Sequence, residues 1–218
     1  WHQTNNYGGD PGPQLVWNMD GYLTNTVKDG DGTLFLRWNG LSYPRQIVKQ
    51  IADAKLRVVP SNFWNPGDST ATMAVRRPFK NWVEGGGTIL GAPPYSTSQT
   101  NLTWSNYNAV AGSPALNQWE HGGATGATDS TNLYAFTMAN RDGESLSSDS
   151  NGLLAAAIQD WLDGIGTNNG LALANTAGAI TMQIASFSTS GNYQHDPYQT
   201  AGLLVVFRKL FGSVFVVH

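Results

Sequence analysis

The side chains that most often perform catalysis are few in this chain, and no spacing among them is typical of an active site. The His residues are His2, His121, His195 and His218, and the Glu residues are Glu84, Glu120 and Glu144. The sequence lacks a Gly-x-Ser-x-Gly turn, a His-Glu-x-x-His pair and a phosphate-binding Gly-x-x-x-x-Gly-Lys segment. Glu120 and His121 are neighbours, but adjacent side chains on a strand point to opposite faces. We therefore expect a protein that is not an enzyme.

Metal ligands are equally sparse. The chain has no Cys, which excludes disulfides, thiol chemistry and thiolate-bound metals. Asp29-x-Asp31 and Asp142-x-Glu144 resemble fragments of calcium-binding loops, but neither continues with the full ligand spacing of such a loop. Both are better explained as turns. We expect no metal site and no cofactor, and a structural calcium ion is an unsupported alternative.

A small group of basic and aromatic residues suggests a sugar-binding site. Arg76, Arg77 and Lys80 form the only basic cluster, which would suit a carboxylated sugar because these cations bind carboxylates. Sugars also stack on exposed rings, and Trp64 and Trp119 lie in Pro- and Gly-rich segments that are compatible with exposure or burial. The alternative is that the charges form a solvated rim and that the Trp residues belong to the core.

Composition limits the class of protein. The 218 residues carry a net charge of −3, and 12% of them are charged. This gives no reason to expect nucleic acid binding, and an aromatic share of 11% excludes a disordered chain. No apolar run approaches the about 18 residues that span a bilayer, so we expect no membrane insertion. The chain begins at Trp1, which suggests a processed N-terminus and is compatible with a removed secretion signal and with the extracellular or cell-surface location that we expect.

Short strands separated by Gly-, Asn- and Pro-rich turns dominate the pattern. We predict strands over residues 15–17, 21–27, 33–38, 54–59, 70–76, 133–139, 179–187 and 203–207, and a helical turn over 47–54. One α-helix is predicted near residues 151–163, capped by Asn151 and ended by Gly164. Because helices do not alternate with strands, we expect an all-β fold, an antiparallel jelly-roll β-sandwich with one short helix.

An ordered set of short motifs resembles the DNRLRE domain family. In chain order the motifs are residues 4–9 (Thr-Asn-Asn-Tyr-Gly-Gly), 34–38 (Leu-Phe-Leu-Arg-Trp), 51–58 (Ile-Ala-Asp-Ala-Lys-Leu-Arg-Val), 77–85 (Arg-Pro-Phe-Lys-Asn-Trp-Val-Glu-Gly), 102–105 (Leu-Thr-Trp-Ser), 161–164, 168–173, 185–187, 196–197 and 203–207. The resemblance implies a secreted jelly-roll β-sandwich that serves as an accessory module on extracellular proteins. Some members resemble carbohydrate-binding modules for alginate-type polysaccharides. Asn101-Leu102-Thr103 also has the form of a glycosylation sequon.

Two departures from the family pattern concern the ends of the chain. Members generally begin with a strand of the Asp-x-Tyr-Ile kind several residues before the Asn-Tyr-Gly turn, whereas here Tyr7 follows Trp1 too closely for that strand. Members end at the strand that matches residues 203–207, whereas this chain continues. We therefore divide it into one DNRLRE-like β-sandwich domain, residues 1–209, and a C-terminal strand-forming tail, residues 210–218.

The tail predicts an assembly mechanism. Val214, Phe215, Val216 and Val217 form an uncharged, β-branched and aromatic run that we predict to be a donor strand. A sandwich that lacks one strand leaves backbone groups unpaired and a groove open to water. The tail either fills its own groove in a permuted monomer, fills a neighbour's groove in an open filament, or is an ordinary edge strand.

Two functions follow from these alternatives. The favoured one is a non-enzymatic extracellular structural subunit that polymerises head to tail with copies of itself by β-strand donation. The rival is a carbohydrate-binding module that recognises an acidic extracellular polysaccharide through Arg76, Arg77, Lys80 and exposed Trp side chains.

Overall fold

Antiparallel β-sheet dominates the part of the chain that the structure describes. The computed structural model describes residues 14–16, 33–38, 41–43, 50–58, 60–63, 70–83, 102, 105–110, 113, 115–139, 145–147, 149–178, 181–184 and 202–207. The strands are β1 (Gln14–Val16), β2 (Thr33–Leu36), β3 (Ile51–Val58), β4 (Pro60–Phe63), β5 (Thr70–Pro78), β6 (Ser130–Ala139), β7 (Ser145–Ser147), β8 (Leu171–Gly178), β9 (Thr181–Ile184) and β10 (Gly202–Phe207). The helix α1 spans Leu153–Asp163. A β-rich fold with one helix is therefore confirmed for these residues.

The described strands form three antiparallel sheets. The larger sheet has the order β2-β8-β5-β6, the smaller sheet has the order β10-β3-β7, and a third sheet has the order β1-β9-β4. The longest pairing joins β5 to β6, from Thr70 opposite Ala139 to Pro78 opposite Ser130. The end of β5 and the start of β6 therefore lie side by side, and the basic residues predicted to bind sugar are at this end.

One apolar core is shared by the larger sheet, the smaller sheet and the helix. On β3, Leu56 and Val58 are fully buried whereas Lys55 is exposed, as expected for a strand with one face in the core. The other sides of the core come from the larger sheet and from α1. Their most deeply buried side chains are Met73, Val75, Met138, Leu154, Ile158, Leu171 and Leu173.

The helix begins and ends at residues with special backbone geometry. Its buried residues, Leu154, Ala157, Ile158 and Trp161, recur at helical spacing and form a single face. Gly164 ends the helix with φ 70°, as predicted, because glycine adopts the left-handed conformation without steric cost. No helix among the described residues is long and apolar enough to cross a membrane.

The predicted cap of the helix was wrong. The capping position is Gly152, with φ 71°, and its missing side chain cannot accept a hydrogen bond. The first turn is stabilised instead by Asp149, whose Oδ2 accepts a hydrogen bond from the Leu154 N–H at 2.7 Å. A carboxylate suits this position because the helix N-terminus carries partial positive charge.

Two further sequence predictions need correction. Residues 51–54 are not helical, because Ile51 begins β3; residues 44–49 lie outside the described part of the chain. The central strand β8 was not predicted. Its first five residues, Leu171–Asn175, are all buried, so the strand lacks the polar–apolar alternation that marks a strand with one wet face.

A polar link joins the edges of the two sheets that share the core. The Tyr134 hydroxyl on β6 lies 2.9 Å from Ser147 Oγ on β7, and Ser147 Oγ donates to the Leu56 carbonyl on β3 at 3.4 Å. Burial raises the pKa of the Tyr134 phenol to about 12, and the hydrogen bond with Ser147 offsets only part of that effect. The link fixes β6 and β7 as adjacent edges.

Leu171→Ala is expected to destabilise the protein by about 2–5 kcal/mol, because the side chain is fully buried and its removal leaves a cavity. Leu116→Ala is the matched control, since Leu116 is 55% exposed and its loss should cost less than about 0.5 kcal/mol. Urea unfolding measures both free energies. Equal values for the two variants would contradict the assignment of β8 to the core.

The wild type is expected to lose stability between about pH 10 and pH 12, the interval from the ordinary phenol pKa to that of Tyr134. The folded pKa is raised, so the unfolded state releases the proton first and stability is complete only below about pH 10. In Tyr134→Phe, the free energy of unfolding should fall less over this pH interval than in the wild type, by on the order of 2 kcal/mol. Denaturant unfolding at a series of pH values measures this, and identical pH profiles would contradict it.

Candidate functional site

The three predicted basic residues lie at the end of β5 but do not form one patch. Arg77 Nη1 donates to Asp160 Oδ2 of α1 at 2.7 Å, on the side of the main core. Arg76 points elsewhere, and its Nε donates to Ser130 Oγ at 2.7 Å. Successive strand residues face opposite ways, so Arg77 is separated from Arg76, whereas Arg76 lies on the side of the sheet where Lys80 meets Asp129.

Lys80 is also held within the protein. Its Nζ donates to Asp129 Oδ1 at 2.5 Å and to the Gln118 carbonyl at 3.1 Å. The same nitrogen lies 5.4 Å from the centre of the Tyr107 ring and 5.7 Å from that of Trp119, within the range of cation–π attraction. A sugar carboxylate would have to compete with these partners for each of the three cations.

Trp119 is buried, so its ring is not exposed for a sugar to stack on. It is 5% exposed and belongs to a second apolar group, the aromatic cluster, whose members are Phe35, Trp82, Leu102, Tyr107, Trp119 and Ala124. Phe35 stacks on Trp119 with ring centres 5.6 Å apart, and Tyr107 meets the ring edge-on at 5.4 Å. Trp64 lies outside the described residues. Sugar binding therefore stays a prediction.

The residue that organises this end of the sheet is Asp129, which sequence reasoning missed. Its side chain has no exposed surface. Besides Lys80, it accepts hydrogen bonds from the backbone N–H groups of Glu120 (2.8 Å), His121 (2.9 Å) and Gly126 (3.2 Å). No signal in the sequence marks this role, because the donors come from a loop whose course depends on tertiary contacts.

The two carboxyl groups of this loop have lowered pKa values. Burial alone would raise the pKa of Asp129, but the hydrogen bonds from Lys80, Glu120 and His121 outweigh burial and lower it. The pKa of Glu120 is lowered mainly by the Thr128 N–H, which donates to its Oε2 at 2.7 Å, and then by the Thr128 hydroxyl. Two carboxylates, one ammonium and several oriented N–H groups thus meet beside the aromatic cluster.

Gly126 permits the approach of the two carboxyl groups. A Cβ at this position would lie 2.6 Å from Asp129 Oδ2 and 2.7 Å from Glu120 Oε2. Both oxygens therefore converge on the space that a side chain would fill. Within the described residues, no group of three His, Cys, Asp or Glu side chains is placed to hold a metal ion.

The predicted donor residues lie outside the described part of the chain, but one strand edge that has no described partner lies within it. These donors are Val214, Phe215, Val216 and Val217. Strand β10 pairs with β3 on one side, and no described strand pairs with its other side. Its inward side chains, Leu203, Val205 and Phe207, pack on the core but stay partly exposed, whereas those of neighbouring β3 are 8% exposed or less. This edge of the core is incompletely covered.

Gly126→Ala is expected to destabilise the protein by about 1–3 kcal/mol, because the new methyl group would overlap carboxylates that backbone hydrogen bonds hold in place. Gly166→Ala is the matched control. Its Cβ would meet only Arg77 Nη2, the end of a flexible side chain that can move. Thermal unfolding compares the two variants, and an equal or larger loss in Gly166→Ala would contradict the assigned role of Gly126.

Comparison with known proteins does not assign a family. No protein-family model, no curated protein and no solved structure matches this chain. The resemblance to the DNRLRE domains therefore stays a prediction, and a function has to be argued from the residues themselves.

Proposed function

We propose that this protein is a non-enzymatic extracellular structural subunit that polymerises head to tail by β-strand donation. In this proposal the domain is a jelly-roll β-sandwich that lacks one strand. The tail of one subunit, through Val214, Phe215, Val216 and Val217, supplies that strand to the next subunit.

The observation that carries the proposal is the incomplete edge at β10. The inward-facing Leu203, Val205 and Phe207 remain partly exposed although they pack on the core. A further strand beside β10 would cover them and would pair with its outer backbone groups. An unpaired edge of this kind is a template for strand addition.

The number of strands in the larger and smaller sheets also supports a missing strand beside β10. The larger sheet has four described strands and the smaller sheet has three. The Tyr134–Ser147 link joins β6 to β7 and so identifies one pair of adjacent edges. Across the core, the opposite edge strand of the larger sheet, β2, has no counterpart beyond β10 among the described residues. A donated strand would supply that counterpart.

The chemistry of the tail fits such a site. Its strand-forming run is apolar and carries no charge, and three of its four residues are β-branched. Each apolar side chain that it buries would stabilise the complex by about 1.5–3 kcal/mol. Donation to a neighbour joins two different surfaces, so every added subunit presents a new acceptor and the polymer stays open.

The wild-type chain is expected to form filaments that electron microscopy resolves. The double variant Phe215→Asp/Val216→Asp should yield only monomers, because successive strand residues face opposite ways and one Asp must enter the groove. The control Val110→Asp/Leu116→Asp adds the same charge at side chains that are 43% and 55% exposed, and it should still polymerise. Light scattering after gel filtration measures the masses.

A uniform wild-type particle of 23.5 kDa would overturn the proposal, because the tail would then fill its own groove. A variant without residues 210–218 provides a second test. A synthetic peptide of residues 210–218 should bind it and give a complex of one subunit and one peptide. Retention on an alginate gel that is lost in Arg76→Gln/Arg77→Gln but survives removal of the tail would instead indicate the sugar-binding module.

A further inference from the structure

We propose that Lys80 and Asp129 form an intramolecular isopeptide bond, an amide between Lys80 Nζ and Asp129 Cγ. The Nζ and Oδ1 atoms lie 2.5 Å apart, and the Asp129 side chain has no exposed surface. The two residues are 49 positions apart in sequence, one after the end of β5 and the other before the start of β6. The proposal does not depend on polymerisation.

The surroundings hold the reacting groups in place. Three backbone N–H groups, of Glu120, His121 and Gly126, fix the orientation of the Asp129 carboxyl. The Gln118 carbonyl and the rings of Tyr107 and Trp119 surround the Lys80 nitrogen. A nucleophile held beside its electrophile reacts as if at very high concentration, because the entropy of bringing the groups together has already been lost on folding.

The same N–H groups are placed to stabilise the charge that develops in the reaction. Asp129 Oδ2 accepts hydrogen bonds from His121 and Gly126, at 2.9 and 3.2 Å. Attack on Cγ converts this oxygen into an oxyanion. Preoriented donors around a carboxyl group without exposed surface stabilise such a charge strongly.

Glu120 is the group that can move protons in this site. Its Oε2 is held by the Thr128 N–H and hydroxyl at 2.7 and 3.0 Å. Because Gly126 lacks a side chain, Glu120 Oε2 and Asp129 Oδ2 converge on one space. A carboxylate that borders the same space as Asp129 and is itself exposed to water can relay a proton through a water molecule and give the released water a path out.

The chemical step balances without a cofactor. The site rests as an ion pair, and the reaction proceeds from its neutral form, in which one proton has passed from the Lys80 ammonium to Asp129 Oδ1 and the free amine attacks Cγ. The nitrogen then loses a second proton, which Glu120 relays through water to Oδ1, and Oδ1 leaves as water. One C–N bond forms, one C–O bond breaks, and an ion pair becomes an amide and one water molecule.

The bond would remove two opposite charges from a largely buried site and close a loop between adjacent strands. Burying an ion pair costs solvation energy, so replacing it by a neutral amide removes that cost. A covalent bond that closes a loop of this length also restricts the unfolded chain, as disulfides do in other proteins. This chain has no Cys and cannot form a disulfide.

Mass spectrometry of the denatured wild-type protein tests the proposal. We expect an intact mass about 18 Da below that calculated from the sequence, the loss of one water. Proteolysis should release a branched peptide that joins the segments around residues 80 and 129. Lys80→Arg should restore the calculated mass, because the guanidinium keeps the charge but is not a nucleophile. Lys55→Arg, the same change at an exposed residue of β3, should leave the mass deficit unchanged.

Glu120→Gln tests the proton relay separately and is expected to slow bond formation at least tenfold. An unchanged rate in this variant would reject the role of Glu120. A wild-type mass equal to the calculated value, or a deficit that persists in Lys80→Arg, would overturn the bond itself. A ladder of multimers on a denaturing gel would show a bond between subunits and would contradict the intramolecular form.

Discussion

The larger sheet carries the main core on one face and an aromatic cluster on part of the other, and much of the described structure depends on this arrangement. One face lies on the main core shared with the smaller sheet and α1, and the other carries the aromatic cluster. On β2, Leu34 and Leu36 enter the core while Phe35, between them, enters the cluster. Apolar burial is the main favourable term in folding, and it leaves residues Leu171–Asn175 of β8 with no exposed face. The sheet therefore supports side chains on both sides at fixed positions.

Polar groups that are buried near the aromatic cluster need hydrogen-bond partners, and two local networks supply partners for several of them. At the β5–β6 end, the Asp129 carboxyl accepts from Lys80 and from three backbone N–H groups. Beside the same aromatic cluster, Asn169 Nδ2 donates to the carbonyls of Pro78 and Phe79, and the backbone carbonyl of Asn169 accepts from Trp82 Nε1 at 2.6 Å. A buried polar group without such partners would destabilise the fold. The networks around Asp129 and Asn169 tie the aromatic cluster to β5.

The strands with a strong local pattern were predictable, and the elements that depend on distant contacts were not. The strands predicted over 33–38, 70–76, 133–139 and 203–207 are confirmed, because alternation or β-branched composition is a property of the segment itself. Strand β8 was missed because burial on both faces removes alternation. The helix cap was predicted wrongly, because the N–H of Leu154 in the first turn donates to Asp149 and not to Asn151.

In the candidate site, too, local features were predictable and contacts between distant residues were not. Arg76, Arg77 and Lys80 were recognised as basic residues close together in sequence, but strand geometry sends Arg76 and Arg77 to different partners. Asp129 was not recognised, because its four donors come from three loop residues and from Lys80, 49 positions earlier.

The sequence by itself determined the composition of the protein, the β-rich class of its described part, the helix near residues 151–163 and the apolar tail, because these depend on short-range pattern and chemistry. Only the tertiary structure decided that Trp119 is buried, that Lys80 meets Asp129 among aromatic rings, and that β10 is an incompletely covered edge. The physical reason is that each of these features joins residues far apart along the chain. Their contacts arise only when the sheets have paired and packed, and no local pattern records that arrangement.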